Sequence, residues 1–308
     1  MAVAARSSQP LPARRSRIFN ENTLTAVLFL LPTLIALSLF LVWPIVDSFR
    51  LSFYKWNGVD PVKTWLGAEN WTRLVQDGVF WRAVRNNFVI VLLSIAVQLP
   101  VGMALAVLLD AGGRHFRIFK ILYFLPLLMS TVAIGILFKY LYDPYFGLIN
   151  ATLEAVGLDA LTQQWLSDPN IALYSVIAVI CWQYIPFYML LFLAALGGIP
   201  GELREAALID GATENKYFWR IALPLMRGTI ITAATLSLIG SLKYFDLIWV
   251  MTNGGPVNAT ELMATYMVKK TFQSFEMGYG ATIASALFII VMIVAGTFFF
   301  TMQRREEA

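Results

Sequence analysis

The sequence contains one cysteine and one histidine in 308 residues, and only 14% of its side chains are charged. A single Cys181 excludes an intramolecular disulfide, and together with His115 it cannot furnish a zinc site of the usual kind. His115, beside Arg114 and close to Arg117, reads as a solvated loop residue. There is no GxxxxGK[ST] segment to wrap phosphates in backbone amides, so nucleotide energy has to come from another chain. Nor does a chain of acids run through several apolar segments, as a proton-coupled carrier commonly needs. No basic stripe with interleaved aromatics is present, so the net charge of +4 points to asymmetric membrane loops and not to nucleic acid. No internal repeat or low-complexity tract stands out.

What the chain has in abundance is apolar sequence. Its 58% hydrophobic content lies well above the roughly 45–50% of soluble domains. Six windows, at about 24–46, 88–109, 118–141, 171–196, 229–251 and 279–302, are each long enough at ~1.5 Å per residue to cross ~30 Å of hydrocarbon. Membrane strands need only about 10 residues of alternating polarity, so the expected fold is all-α, a polytopic bundle of six transmembrane helices. Residues 1–20, rich in Ser, Pro, Arg and Ala, read as a disordered basic tail, and 21–308 as one membrane domain. The first apolar run is too long for a signal peptide and has no small-residue cleavage site, so it reads as a retained helix.

Basic residues tend to stay in cytoplasmic loops. Arg6, Arg14, Arg15 and Arg17 precede the first window, Arg114, Arg117 and Lys120 follow the second, Arg204, Lys216, Arg220 and Arg227 follow the fourth, and Arg304 and Arg305 end the chain. The segment 143–170 carries no basic residue but holds Asp143, Glu154, Asp159 and Asp168. Both termini are therefore expected in the cytoplasm. The long loop after the first window departs from the rule, with Arg50, Lys55, Lys63, Arg73, Arg82 and Arg85 among its residues. Pro32, Pro44, Pro100, Pro126 and Pro186 fall within spans, which predicts kinked helices that either surround a cavity or only shape the packing.

The polar segment EAALIDGATENKYFWRIALP, 205–224, is the most ordered in character of the loops. A short helix is expected from near Pro200 to Gly211, where glycine can take a left-handed C-terminal conformation, followed by an amphipathic stretch over 213–223 that stops at Pro224. Ala206 and Ala207 strip one face of bulk so that another protein can approach the backbone, with Glu205 as a charge beside it. This segment resembles the EAA loop of permease subunits of bacterial ABC importers, through Glu205, Ala206, Ala207, Asp210, Gly211, Ala212, Phe218, Ile221, Leu223 and Pro224. It departs from the pattern at Gly228, where many relatives have a second proline.

In the fifth window Ser237, Ser241, Tyr244 and Ile248, spaced four, three and four apart, fall on one helical face. Hydroxyls and an aromatic ring on one stripe suit a neutral polyhydroxylated ligand, and equally suit helix packing in lipid. Lys243 and Asp246 read as functional candidates, as snorkelling side chains or as a mutual salt bridge. The following sequence is similar to the sugar-permease branch of the ABC importers, through Phe245, Asp246, Thr252, Gly254, Gly255, Pro256, Ala259 and Thr260. Further matches are Glu69, Asn70, Trp71, Asp77, Phe80 and Trp81, then FRIFKILYFLP, then the GLIN ending at Asn150.

The resemblance implies a type I ABC importer permease-like bundle in the bacterial plasma membrane. It would be a non-enzymatic subunit without a cofactor of its own, importing a sugar or oligosaccharide. Its partners would be a second homologous permease, two ATPase subunits holding ATP and Mg, an extracytoplasmic solute-binding protein and membrane lipid. Glu205, Ala206, Ala207, Asp210, Gly211 and Ala212 would couple it to an ATPase. By correspondence with maltose-type relatives the substrate positions would be Thr131, Gln183, Tyr184, Phe187, Ser237, Gly240, Ser241 and Tyr244. A gradient-driven carrier acting alone, a membrane scaffold, and import of a sugar alcohol or glycerol-phosphate-type solute are the competing readings.

Overall fold

The computed structural model describes residues 21–112 and 117–303, so the tail 1–20, His115, Arg114 and the terminal Arg304 and Arg305 lie outside the described residues. The chain divides into two compact units, 1–47 and 48–308, each taken by itself. The first holds α1 (Glu21–Leu37), a wide turn at Ser38–Val42, and the start of α2 (Trp43–Leu51). The wide turn is closed by Trp43 N–H on Ser38 O, one residue further back than in an α-helix. Pro44, which follows directly, has no N–H to close the next turn, and such local widening is how helices absorb that loss in lipid.

The second unit opens on a two-stranded hairpin, β1 (Tyr54–Lys55) antiparallel to β2 (Thr64–Trp65). α3 (Glu69–Gln76) is held against it by Asn70, whose amide donates to Ser52 O at 2.9 Å and Tyr54 O at 3.0 Å. Asp77 then starts α4 (Gly78–Ala111): one carboxylate oxygen accepts from the amides of Val79 and Phe80, the other from the hydroxyls of Tyr266 and Tyr279. Partial burial works to raise the Asp77 carboxyl, but those four hydrogen bonds prevail and hold it below the usual carboxylate range.

α5 (Arg117–Leu128) and α6 (Thr131–Leu141) occupy the third apolar window, yet they are bent by 95° at a break of two residues. The single span expected there is a broken one. Pro126 removes a donor from the last turn of α5, and Ser130 is extended, at φ −60 and ψ 131. After α7 (Leu148–Ala155) comes α8 (Ala172–Gly197), the main packing partner of α4. Gly102 allows that approach, because a Cβ there would sit 3.0 Å from both Met189 N and Tyr188 Cβ.

Two short helices, α9 (Gly201–Ile209) and α10 (Glu214–Tyr217), lead through a second wide turn, Phe218–Ala222, into α11 (Leu223–Leu225) and α12 (Arg227–Leu242). Here too the wide turn directly precedes an X-Pro pair, Leu223 and Pro224. Pro224 was expected to stop the amphipathic stretch; instead it lies inside a helical turn, and the path continues into α12 from Arg227 despite Gly228. α13 (Asp246–Met251), α14 (Met263–Val268) and α15 (Met277–Gln303) complete the unit. Among the described residues five helices are long and apolar enough to cross a membrane, or six where the bent pair counts as one span.

Asn86 and Asn87, both buried, lock the loops at the Asp77 end of α4. Asn86 donates to Ala259 O and Glu261 O at 2.9 Å each. Asn87 donates to Ser241 O at 3.3 Å and Leu242 O at 3.0 Å, and accepts from Met263 N–H at 3.0 Å. It thus caps the carbonyl end of α12 and the amide end of α14 with one side chain. Glu261, fully buried, accepts from Lys269 Nζ at 2.5 Å and Thr265 Oγ1 at 2.6 Å. The Asn87→Ala variant removes three side-chain hydrogen bonds to the backbone and is expected to lose about 3 kcal/mol of stability, measured by thermal or chemical unfolding in detergent against wild type.

Candidate functional site

α8 and α12 converge with α4 on a cavity of about 260 Å³. Its wall takes Tyr184 and Phe187 from α8, Ser237, Gly240 and Ser241 from α12, and Tyr244 from the break that follows. Six of the eight positions named by the resemblance therefore meet in one place. Ser237 and Ser241 are 2% and 6% exposed, and the rings of Tyr184 and Tyr244 meet edge to face with centroids 6.3 Å apart. Gly240 keeps the wall open, since a Cβ there would meet nothing within 4 Å.

The polar atoms in and around this cavity are under-satisfied. Ser237 Oγ and Tyr244 OH are buried without a hydrogen bond, although Tyr188 interacts with the first and Tyr184 with the second. Gln183 Oε1 is unpaired as well. Leaving such groups dry costs on the order of 1–3 kcal/mol each, so the cavity favours a guest that can hydrogen-bond.

At the opposite end of α4 from Asp77 lies α9. Pro200 is the extended residue before it, and Gly211, at φ +79, is the left-handed residue after it. Thr213 Oγ1 caps α10 by accepting from Lys216 N–H at 3.3 Å. Ala207 is buried while Glu205, Ala206, Asp210 and Gly211 are exposed and Ala212 half-buried. The unbulky face is thus shared: Ala207 packs inward and Ala206 faces out. Ile209, 86% exposed, projects from the same short helix.

Residues 98–306 match the family described as binding-protein-dependent transport system inner membrane component. The chain belongs to this family. A probable ABC transporter permease protein of Pyrococcus horikoshii is 35% identical over 91% of this chain and 96% of its own length. The lactose transport system permease protein of Rhizobium radiobacter is 31% identical over 99% of this chain and 100% of its own. The fold matches, at a TM-score of 0.79 and 24% identity over 92% of this chain and 96% of the other, a chain of a bacterial ABC transporter involved in import of the acidic polysaccharide alginate. The protein is thus the transmembrane permease subunit of a binding-protein-dependent ABC importer, a multi-pass membrane protein, and a carrier acting alone is not favoured.

Within this permease the remaining expectations divide. Thr131 and Gln183 are not in the cavity wall; Gln183 Nε2 donates to Thr131 Oγ1 at 3.2 Å and joins α8 to the start of α6. Ile248 leaves the predicted stripe, because α12 ends at Leu242 and Ile248 belongs to α13, fully buried in a cluster with Ile134 and Leu247. Lys243 and Asp246 are both exposed, and no ion pair between them is found among the described residues.

Gln98 was missed. It lines the cavity from α4, only 3% exposed, with its amide nitrogen 3.8 Å from Cys181 Sγ. The available signal was a lone amide inside an apolar span, two residues before Pro100. Asn86, Asn87, Ile209 and the Arg204–Glu214 pair also escaped the sequence reading. That pair joins α9 to α10, with Arg204 Nη2 2.7 Å from Glu214 Oε1; bonding to Glu214 and its charge raise the Arg204 pKa above its ordinary value, against slight desolvation.

A Gly240→Leu variant is expected to fill the cavity while changing stability by less than about 1 kcal/mol, since leucine is the better helix former. A structure of the variant with the side chain in the cavity, and an unfolding midpoint close to wild type, is the result to look for.

Proposed function

We propose that this permease moves a neutral sugar or oligosaccharide through the α4/α8/α12 cavity, driven by separate ATPase subunits that hold ATP and Mg and seat on α9. The observation that carries the substrate class is the wall of the cavity. It joins the buried hydroxyls of Ser237 and Tyr244 to the flat rings of Tyr184 and Phe187, and among the described residues it contains no lysine or arginine. Sugars present hydroxyl edges and apolar faces, so both halves of the wall find a partner. An anionic phosphate or uronate would call for a basic residue facing it, which this wall does not supply. The relative named for lactose transport is in keeping with that reading.

The coupling reading rests on α9. It offers Glu205, Ala206 and Ile209 outward on a short helix between two spans, beyond the end of the bundle that carries basic loops. A cytoplasmic α9 puts both termini in the cytoplasm and the end of α4 near Asp77 outside, where a solute-binding protein would deliver its load. A second permease subunit completes the pore within the membrane lipid. Closure of the ATPase pair displaces α9, and the cavity changes its side of access because solute and ATPase bind the two states with unequal affinity.

The test is uptake by the intact complex, with both permeases, the ATPases and the binding protein, in proteoliposomes. Gly240→Leu is expected to cut ATP-dependent uptake at least ~tenfold, the rate equivalent of about 1.4 kcal/mol, while the ATPases still copurify. Glu205→Ala is expected to weaken ATPase retention. Full uptake by Gly240→Leu, or uptake that needs no ATP, would contradict the proposal.

A further inference from the structure

α9 touches the rest of the permease through few contacts. Its most extensive neighbour is α10, and Ala207 is its one buried residue. Behind it an open cavity of about 450 Å³ separates it from the ends of α4 and α8, with Asp110, Leu196, Arg204 and Glu214 in its wall. A push on α9 would therefore tend to collapse this space before it reached a span by packing. The covalent joint between α9 and α10 turns at Gly211, at φ +79, and its two backbone bonds, Gly211 N–H to Leu208 O at 3.0 Å and Ala212 N–H to Ala207 O at 2.9 Å, close the end of α9 without engaging α10.

Among the described residues one ion pair spans the joint. Arg204 lies seven residues before Gly211 and Glu214 three after it, so the ion pair closes a triangle whose other sides are the two helices. The pair is two-pronged: Nη2 donates to Oε1 at 2.7 Å, and Nε to Oε2 at 3.1 Å. A planar fork resists rotation about the joint in a way that a single lysine bond does not. Beyond Glu214 the path is largely helical: α10, the wide turn, α11 and, past Met226, α12 run on to Ser237. That is 23 residues to Ser237, or roughly 35 Å at 1.5 Å each.

We propose that the Arg204–Glu214 fork is the strut that braces the Gly211 joint and passes the displacement of α9 into α12, an inference that rests on α9 being the ATPase contact. Both side chains are about half exposed, 49% and 58%. Pairs that open to water add little to stability. Removing the fork should therefore spare folding and assembly and strike coupling. Asp110, at the end of α4, also acts on Arg204, so the arginine rather than the glutamate is the residue to change.

The experiment uses the complete transporter in proteoliposomes and measures three things: ATPase copurified, ATP hydrolysed, and solute moved per ATP. Arg204→Gln is expected to retain the ATPase and its hydrolysis but lower solute moved per ATP about tenfold, within the range of couplings altered along such paths. Arg204→Lys should fall between it and wild type, and the exchange Arg204→Glu with Glu214→Arg should restore most of the ratio. An unchanged ratio in Arg204→Gln overturns the strut, and so does loss of the ATPase, which would make Arg204 a docking residue. Crosslinking from Ile209→Cys to the ATPase separates the two layers of the argument. A crosslink with an unchanged ratio sinks the strut alone, whereas no crosslink removes the ATPase contact and the strut with it.

Discussion

Inside hydrocarbon a polar group has no water to turn to, so every amide, carbonyl and side-chain oxygen of this permease has to find its partner within the protein or remain unpaired at a cost. That constraint makes the spans helical, and it also sorts the buried polar side chains. Asn86 and Asn87 spend their amides on loop and helix-end carbonyls, and Gln183 binds Thr131. Ser237 and Tyr244 have no well-formed hydrogen bond, only the weaker approach of Tyr188 and Tyr184. The first group builds the scaffold and the second marks the cavity. Both sets are buried polar residues, and position as well as hydrogen bonding tells them apart, since Ser94 Oγ and Gln183 Oε1 are unpaired outside the cavity wall.

The helix breaks follow the same logic. Wide turns lie directly before Trp43-Pro44 and Leu223-Pro224, where a missing N–H is absorbed by lengthening the loop of the preceding bond. At α12 the break is capped instead: Asn87 takes the carbonyls of Ser241 and Leu242, so that the chain can turn at Lys243 and aim Tyr244 into the cavity while α13 packs Ile248 into the core. A break with its carbonyls satisfied is a stable bend and not a frayed end.

The two ends of α4 differ in stiffness. At the Asp77 end one carboxylate gathers four hydrogen bonds, and the buried Glu261 and Lys269 hold the loop between α13 and α14. At the other end α9 stands off the bundle over a cavity and is tied on through a glycine joint and an exposed ion pair. Polar bonding is thus dense at the Asp77 end and sparse at the α9 end.

Much of this was legible beforehand. Six apolar windows followed from hydropathy, and the ends of α9 from Pro200 and Gly211, because these depend on residues within a turn of one another. Spacing put Ser237, Ser241 and Tyr244 on one face, with Ile248 besides, the family resemblance added Tyr184, Phe187 and Gly240, and neither pointed to Gln98. Neither the 95° bend after Pro126 nor the cap by Asn87 could be read locally. A proline announces a lost hydrogen bond but not the angle that neighbouring helices impose, and the partners of Asn87 lie 154 and 155 residues away. By itself the sequence determined which stretches are apolar enough to enter the membrane and where a backbone donor is missing, since both are properties of short segments. The tertiary structure decided which polar atoms are paired, which are left facing the cavity and where Arg204 meets Glu214, because a hydrogen bond requires two groups to meet at a set distance and angle, and only packing brings distant ones together.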